Sequence, residues 1–241
     1  MNDGYGGERQ NAFGGSGTGT MTVEKSNEFL GTVFSWMTAG LLITGLLGWY
    51  VAQNMDLMRA LFSIFWVLVI AELGLVWTLS GRINRLSASA ATGLFLGYSA
   101  LSGLTFSTIF LVYSMQSIVY VFAVTATLFA VLAVFGRTTR MDLTKIGTIA
   151  FAGLIAILIV MVLNMFLFKS GPLDQVISIL GVIIFSALTA YDMQKLTQMA
   201  QTGFGDRENE GRMAILGALD LYLDFVNLFL FLLRLMGGRR N

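Results

Sequence analysis

The sequence predicts an all-α fold, an integral membrane bundle of seven transmembrane helices. Two observations carry this reading. Of 241 residues, 56% are hydrophobic and only 12% charged, with a mean hydropathy of +0.74, where a soluble domain carries about 25% charged residues. The apolar residues also fall into seven runs separated by short polar connections, each run long enough to cross the roughly 30 Å hydrocarbon layer as a helix.

In order, residues 1–20, MNDGYGGERQNAFGGSGTGT, are rich in Gly, Ser, Thr and Asn with no apolar period. Such a composition cannot bury enough surface to fold, so residues 1–26 are expected to form a disordered N-terminal tail and residues 27–241 the membrane domain. The spans are placed at about 29–52, 60–80, 87–113, 117–136, 145–168, 173–200 and 213–236. The connection Ser114-Met115-Gln116-Ser117 is so short that spans 3 and 4 must be antiparallel neighbours. Pro172, the only proline, stands at the start of span 6, where its missing N–H is no loss.

Orientation follows from Lys and Arg. A cytoplasmic N-terminus puts Arg9, Lys25, Arg82, Arg85, Arg137, Arg140, Lys145, Lys195, Arg207 and Arg212 on the inner side, against Arg59 and Lys169 outside, as the positive-inside rule requires. The C-terminal tail disagrees: with seven full crossings, Arg234, Arg239 and Arg240 lie outside. Small residues recur at helical spacing, Gly40, Thr44 and Gly48 in span 1 and Gly93, Gly97 and Ala100 in span 3, which lets backbones approach closely. Asn164 in span 5 is expected to donate a hydrogen bond between helices.

Two apolar stretches, FSALTAYDMQKL and ALDLYLDFVNLFLFLLRL, carry aspartate inside the bilayer. A charge there is expensive unless it is paired, hydrated or protonated, so it marks a functional site by default. Glu208, in the polar connection, lies equally far in sequence from Asp192 and Asp224, so a helical hairpin brings the two carboxylates to one depth. Gly217, Asp220, Asp224 and Asn227 form one stripe at spacings of three and four. Thr189 and Lys195 lie one turn to either side of Asp192, and Glu72 in span 2 lies at a comparable depth. Four acidic groups thus share one level, with Arg82, Arg85 and Lys195 as candidate counter-ions. Two readings stand: a buried ion-pair network that fixes helix register, or a cation path with a proton-linked gate.

Composition excludes other chemistry. Without cysteine there are no disulfides, and without histidine there are no His-based metal sites or catalytic triads, so pH sensing falls to carboxylates. An intramembrane aspartyl protease would use Asp192 with a Gly203-Phe204-Gly205-Asp206 stretch, but Asp206 stands in a loop beside Arg207 and Glu208. A retinal protein needs a lysine in span 7, and there is none. No enzymatic activity is expected, and no resident cofactor.

The run GALDLYLDFVNLFLFLLRL, preceded by TAYDMQKL, resembles the C-terminal signature of the Bax inhibitor-1 family in its bacterial YccA-like branch. FLGTVFSWMTAGLLITG, YSALSGLTFSTIF and VFAVTATLFAVLAVFGRTTRMDLTKIG resemble further blocks of that family, so the likeness runs from about residue 27 to the C-terminus. The resemblance implies a seven-helix bundle with a central last helix wrapped by the other six, in the bacterial inner membrane. It implies a pH-sensitive calcium leak whose sensor pair matches Asp192 and Asp224, with Glu72 at the acidic position of span 2. It implies an arginine that pairs with the span 6 aspartate, which matches Arg82 or, less well, Arg85. Asp220 departs from the family, whose members commonly carry an uncharged polar residue there. Together these give an expected mechanism in which Asp192 and Asp224 share a proton in the closed state. Losing it to a calcium ion, whose oxygen-only coordination suits carboxylates, frees Asp192 to pair with Arg82. The alternative implied by the resemblance is a membrane-embedded regulator of an FtsH-type protease complex, with the N-terminal tail as handle.

Overall fold

The computed structural model describes residues 23–238, and there it is all-α. The helices are α1 (Val23–Ala52), α2 (Met55–Ser63), α3 (Phe65–Arg82), α4 (Ala88–Phe106), α5 (Ile109–Val112), α6 (Met115–Thr138), α7 (Thr144–Leu163), α8 (Gly171–Thr202) and α9 (Arg207–Met236). Seven of the resulting segments are long and apolar enough to cross a membrane. The end of the bundle where α1 begins is called the near face here, and the opposite end the far face.

Several boundaries differ from the sequence-based ones, each for a local reason. Helix α1 begins at Val23, inside the stretch read as tail, and the remainder of that tail lies outside the described residues. Span 2 is preceded by a separate helix, α2, capped by the Asn54 side chain, which accepts from the Asp56 and Leu57 N–H groups at 3.1 and 3.2 Å. Span 5 ends in a π-helical turn, Asn164–Phe168, closed by Lys169 in a left-handed conformation (φ 47°, ψ 39°). Span 7 begins six residues before the expected position. Asp206 caps it by accepting the Asn209 N–H at 2.7 Å, and Glu208 and Glu210 sit in the first turn, where the helix dipole favours them. The actual turn between α8 and α9 is therefore only Gly203 to Asp206, with Gly203 and Gly205 at positive φ.

Helix α9 is the centre of the bundle. Two thirds (67%) of its most apolar window is buried, against 44% for α8 and less for the others. It packs most closely on α1, α4, α6 and α8, while α3 leans mainly on α4 and α7 on α8. Lipid tails offer helices no hydrophobic drive to associate, so close fit must hold them together. Small residues supply it: Gly40 faces Phe95 and Ser99, Gly48 faces the Gly103 carbonyl, Gly136 abuts the Ala190 backbone, Gly147 lies under the Tyr191 ring, and Gly181 under Phe231. The row in span 1 packs as expected, whereas Gly93 and Gly97 have nothing within 4 Å of an added Cβ. Apolar packing falls into a near-face cluster around Phe95, Leu219 and Tyr222 and a far-face cluster around Phe185, Leu228 and Phe231. Phe225 joins α6 to α9 through edge-on rings of Phe122 and Phe129 at 5.3 and 5.5 Å.

Candidate functional site

The α8–α9 hairpin places its carboxylates by register. Descending from the near face, Gly217 meets Leu196, Asp220 meets Lys195, Asp224 meets Asp192 and Thr189, and Phe231 meets Gly181 and Phe185. These pairs are centred near residue 207, so Asp192 and Asp224 come to one depth, and the first turn of α9 overhangs the end of α8. The two carboxyl groups are within side-chain hydrogen-bond reach of each other.

Burial differs across the pair. Asp224 is 4% exposed and Asp192 only partly buried. The Asp224 Oδ2 atom is fully buried and accepts from no protein donor. Thr189, its neighbour on α8, has already given its hydroxyl proton to the Phe185 carbonyl at 2.8 Å. One turn toward the near face, Lys195 Nζ lies 3.7 Å from Asp220 Oδ2, an ion pair that joins α8 to α9. Asp220 is thus held by a cation, whereas Asp224 has only Asp192 and the Thr189 hydroxyl beside it and no cation.

Glu72 has a different place. It accepts from the Thr105 hydroxyl on α4 at 2.5 Å and lies near Tyr98 and Tyr222. Tyr222 is about 200° around α9 from Asp220 and from Asp224, since successive residues turn by about 100°. Glu72 therefore shares their depth but sits on the opposite side of the central helix, and the four carboxylates divide three and one. Arg82 and Arg85 are exposed at the near end of α3, with no carboxylate within 4 Å among the described residues. Lys195 is the counter-ion candidate that the structure brings to a carboxylate, and its partner is Asp220. No group of three acidic side chains able to hold a metal ion occurs among the described residues. Two facing carboxylates supply at most four of the six to eight oxygens that Ca²⁺ takes, so a calcium ion here would be cargo with water around it.

The side of α9 that faces α1 and α4 carries a neutral network that sequence reasoning passed over. Thr44 donates to the Ser99 carbonyl at 2.8 Å and lies 2.7 Å from the Tyr222 hydroxyl. Thr44 has one proton and the Ser99 carbonyl can only accept, so Tyr222 must be the donor to Thr44. Gln194, two residues from Asp192, ties the α6–α7 connection to α8: its Oε1 accepts from the Leu143 N–H at 2.9 Å, and its Nε2 donates to the Met141 carbonyl at 2.7 Å. The available signal for both was a polar side chain inside an apolar span. Asn164 donates as expected, to the Ser170 carbonyl at 3.2 Å and to Asp174 Oδ1 at 2.6 Å, and accepts from the Ser170 N–H at 3.0 Å.

Fold and site define a polytopic membrane protein whose central C-terminal helix presents an intramembrane carboxylate to a second one on the preceding helix. Residues 26–241 match the family described as inhibitor of apoptosis-promoting Bax1. The chain is 46% identical over 216 residues to the inner membrane protein YbhL of Escherichia coli K12, covering 88% of this chain and 92% of that one. It is 45% identical over 218 residues to a Borreliella burgdorferi protein (89% and 94% covered), and 39% identical over 218 residues to one of Deinococcus radiodurans (90% and 94% covered). The chain belongs to the Bax inhibitor family.

Proposed function

We propose that this protein is a pH-sensitive calcium leak of the bacterial inner membrane, with its N-terminus in the cytoplasm, gated by one proton held between Asp192 and Asp224. The observation that carries this is the donor count at Asp224. A buried carboxylate oxygen with no protein donor costs several kcal/mol in a membrane if it is charged. A proton on one member of the pair removes that cost, because its O–H then donates to the other. Two carboxylates this close cannot both ionise cheaply, so the proton leaves only when something compensates. A divalent cation entering between α8 and α9 does so, and the separation it forces is the opening step. That the cation is calcium rests on the family resemblance, and the inner-membrane placement on the YbhL name together with the lysine and arginine bias.

The test is calcium flux from liposomes holding the purified protein, across mildly acidic to mildly alkaline buffer. Wild type should show a pH-dependent leak. Asp192→Asn, Asp224→Asn and the double substitution should each lose the pH dependence. No leak at any pH from folded protein, or unchanged pH dependence in both single variants, sinks the reading.

A second reading, regulation of an FtsH-type membrane protease complex, is favoured by one observation. A polar groove of about 650 Å³ opens on the near face between the start of α1 and the α8–α9 turn, walled by Glu28, Phe29, Phe204, Arg207 and Glu210. Deleting residues 1–20 while following both flux and protease association separates the roles, since a gate confined to α8 and α9 keeps its flux without that segment.

A further inference from the structure

The far face holds a cavity of about 1020 Å³ between the ends of α3, α7 and α9 and the start of α8. Three basic side chains of the described residues lie at that face. Arg59 is spoken for by Asp56 at 3.9 Å, whereas Lys169 and Arg234 have no carboxylate within 4 Å among the described residues. These two line the same cavity. Both run against the positive-inside pattern, as Arg59 does, so topology does not account for their placement.

Each is deliberately positioned. Lys169 is the left-handed cap of the π-helical turn, its N–H donating to the Asn164 carbonyl at 2.7 Å, which fixes where its side chain leaves the backbone. The three hydrogen bonds of the buried Asn164 side chain hold the turn that keeps it there. One of them engages Asp174 Oδ1, the cavity's single carboxylate, so the lining carries a net charge of +1 with its acid partly satisfied. The Arg234 guanidinium stands over the Phe231 ring, 5.8 Å from its centroid, which steadies the side chain near the end of α9. Part of the wall is apolar: Trp66, Val162 and Met165 line the cavity and are exposed on the outside of the bundle. Cations at headgroup level, with an apolar wall running into the hydrocarbon, match one class of ligand present at membrane concentration.

We propose that this cavity binds the phosphate of an anionic phospholipid, with Arg234 and Lys169 as its ligands and an acyl chain along the Trp66, Val162 and Met165 wall. Arg234 offers a planar fork suited to two phosphate oxygens, and Lys169 a point charge. The site lies at the opposite end of α9 from the near face and uses none of the carboxylates of the proposed gate, so it stands or falls independently of the leak.

The experiment measures lipid binding to the full chain in a neutral detergent, by native mass spectrometry and by the shift in thermal unfolding. Phosphatidylglycerol, phosphatidylcholine and inorganic phosphate are compared. Phosphatidylglycerol should bind wild type in preference to phosphatidylcholine and raise its Tm. Lys169→Gln with Arg234→Gln should weaken phosphatidylglycerol binding by about thirtyfold, two interfacial charges together being worth about 2 kcal/mol. Arg59→Gln, at the same face but already paired, should leave it unchanged. If the double variant does not fold, each single one is measured and should lose about fivefold, half of that energy. Equal binding of the two lipids, an undiminished preference in the variants, or a full Tm shift with inorganic phosphate alone each overturns the proposal, the last by making it a soluble-anion site.

Discussion

The hydrogen-bond direction at Tyr222 makes a sharp energetic claim. Thr44→Val and Tyr222→Phe each remove one hydroxyl and little volume, yet their costs should differ. Tyr222→Phe leaves the Thr44 donation to Ser99 in place and removes one incoming bond, which inside a membrane costs about 0.6 kcal/mol on average. Thr44→Val removes both bonds and strands the O–H of a tyrosine that is 0% exposed, which costs about 1–3 kcal/mol. Adding Tyr222→Phe to Thr44→Val removes that stranded donor, so the second substitution should cost nothing or restore stability. Ser102, whose buried hydroxyl has no partner, neighbours both Tyr98 and Tyr222, so the cycle belongs in a Ser102→Ala background where the phenol has nowhere else to turn. Thermal unfolding in detergent, followed by loss of the monomeric peak, supplies the four stabilities. Tyr222→Phe costing as much as Thr44→Val, or the two effects simply adding, would show the donor assignment to be wrong.

The remaining expectations use other contacts. Gly136→Ala should lower the Tm strongly, because the new Cβ would lie 2.9 Å from the Ala190 carbonyl carbon and 3.0 Å from its Cα, against an ordinary carbon contact of about 3.5–4.0 Å. Gly97→Ala should leave the Tm unchanged or raise it, since nothing lies within 4 Å there and alanine favours helix; equal losses in the two would refute the packing argument. Asp142, in the α6–α7 connection outside the spans, accepts from the Thr144 side chain and its N–H, the latter at 2.9 Å, and these bonds hold its carboxyl below the ordinary range. A depressed folded-state value means that its contribution is present above the ordinary carboxylate pKa and is lost as pH falls through the lower one. Protection of the amides in the first turn of α7, taken relative to their intrinsic exchange at each pH, should therefore fall in acid in the wild type and show no such acid step in Asp142→Asn.

How much of this the chain spells out depends on whether one helix or two must be known. The seven spans were legible because each is a long apolar run, and the Asp192–Asp224 meeting because hairpin arithmetic sets depth while the Gly217, Asp220, Asp224 stripe sets the face. Polarity misled at the start of α9. Residues 207–212 read as loop because they are charged, yet Asp206 caps a helix there and the acids suit its first turn. The break at Ile64 between α2 and α3 follows no Gly or Pro, and it is read only from the backbone, with φ −112° and ψ 12°. The sequence offered a depth for Glu72 but no side of the central helix. Which way a peripheral helix is rotated depends on the helix it leans on, and nothing in the α3 sequence names Thr105 as its partner. The same ignorance of azimuth made Arg82 and Lys195 equal candidates until the structure put Lys195 beside Asp220.

The two sides of α9 divide the bundle mechanically. Toward α1 and α4, its bonds are between hydroxyls and a backbone carbonyl, and edge-on rings of Phe95 and Tyr98 close on Tyr222 at 5.9 and 5.6 Å. Toward α8, the polar contact is the Asp192–Asp224 pair beside the Lys195–Asp220 pair. Under the proposed gating, a change of proton occupancy at the Asp192–Asp224 pair acts on the second side. The group α1, α4 and α9 then stays fixed, and α8 is the element displaced. Helix α7 leans on α8 through Gly147 and the Tyr191 ring, and Gln194 fastens the α6–α7 connection to it, so α7 must travel with α8. Helix α6 packs on both α8 and α9. Its crossing at Gly136, where backbone meets backbone without a side chain between, is where such a displacement pivots with least repacking.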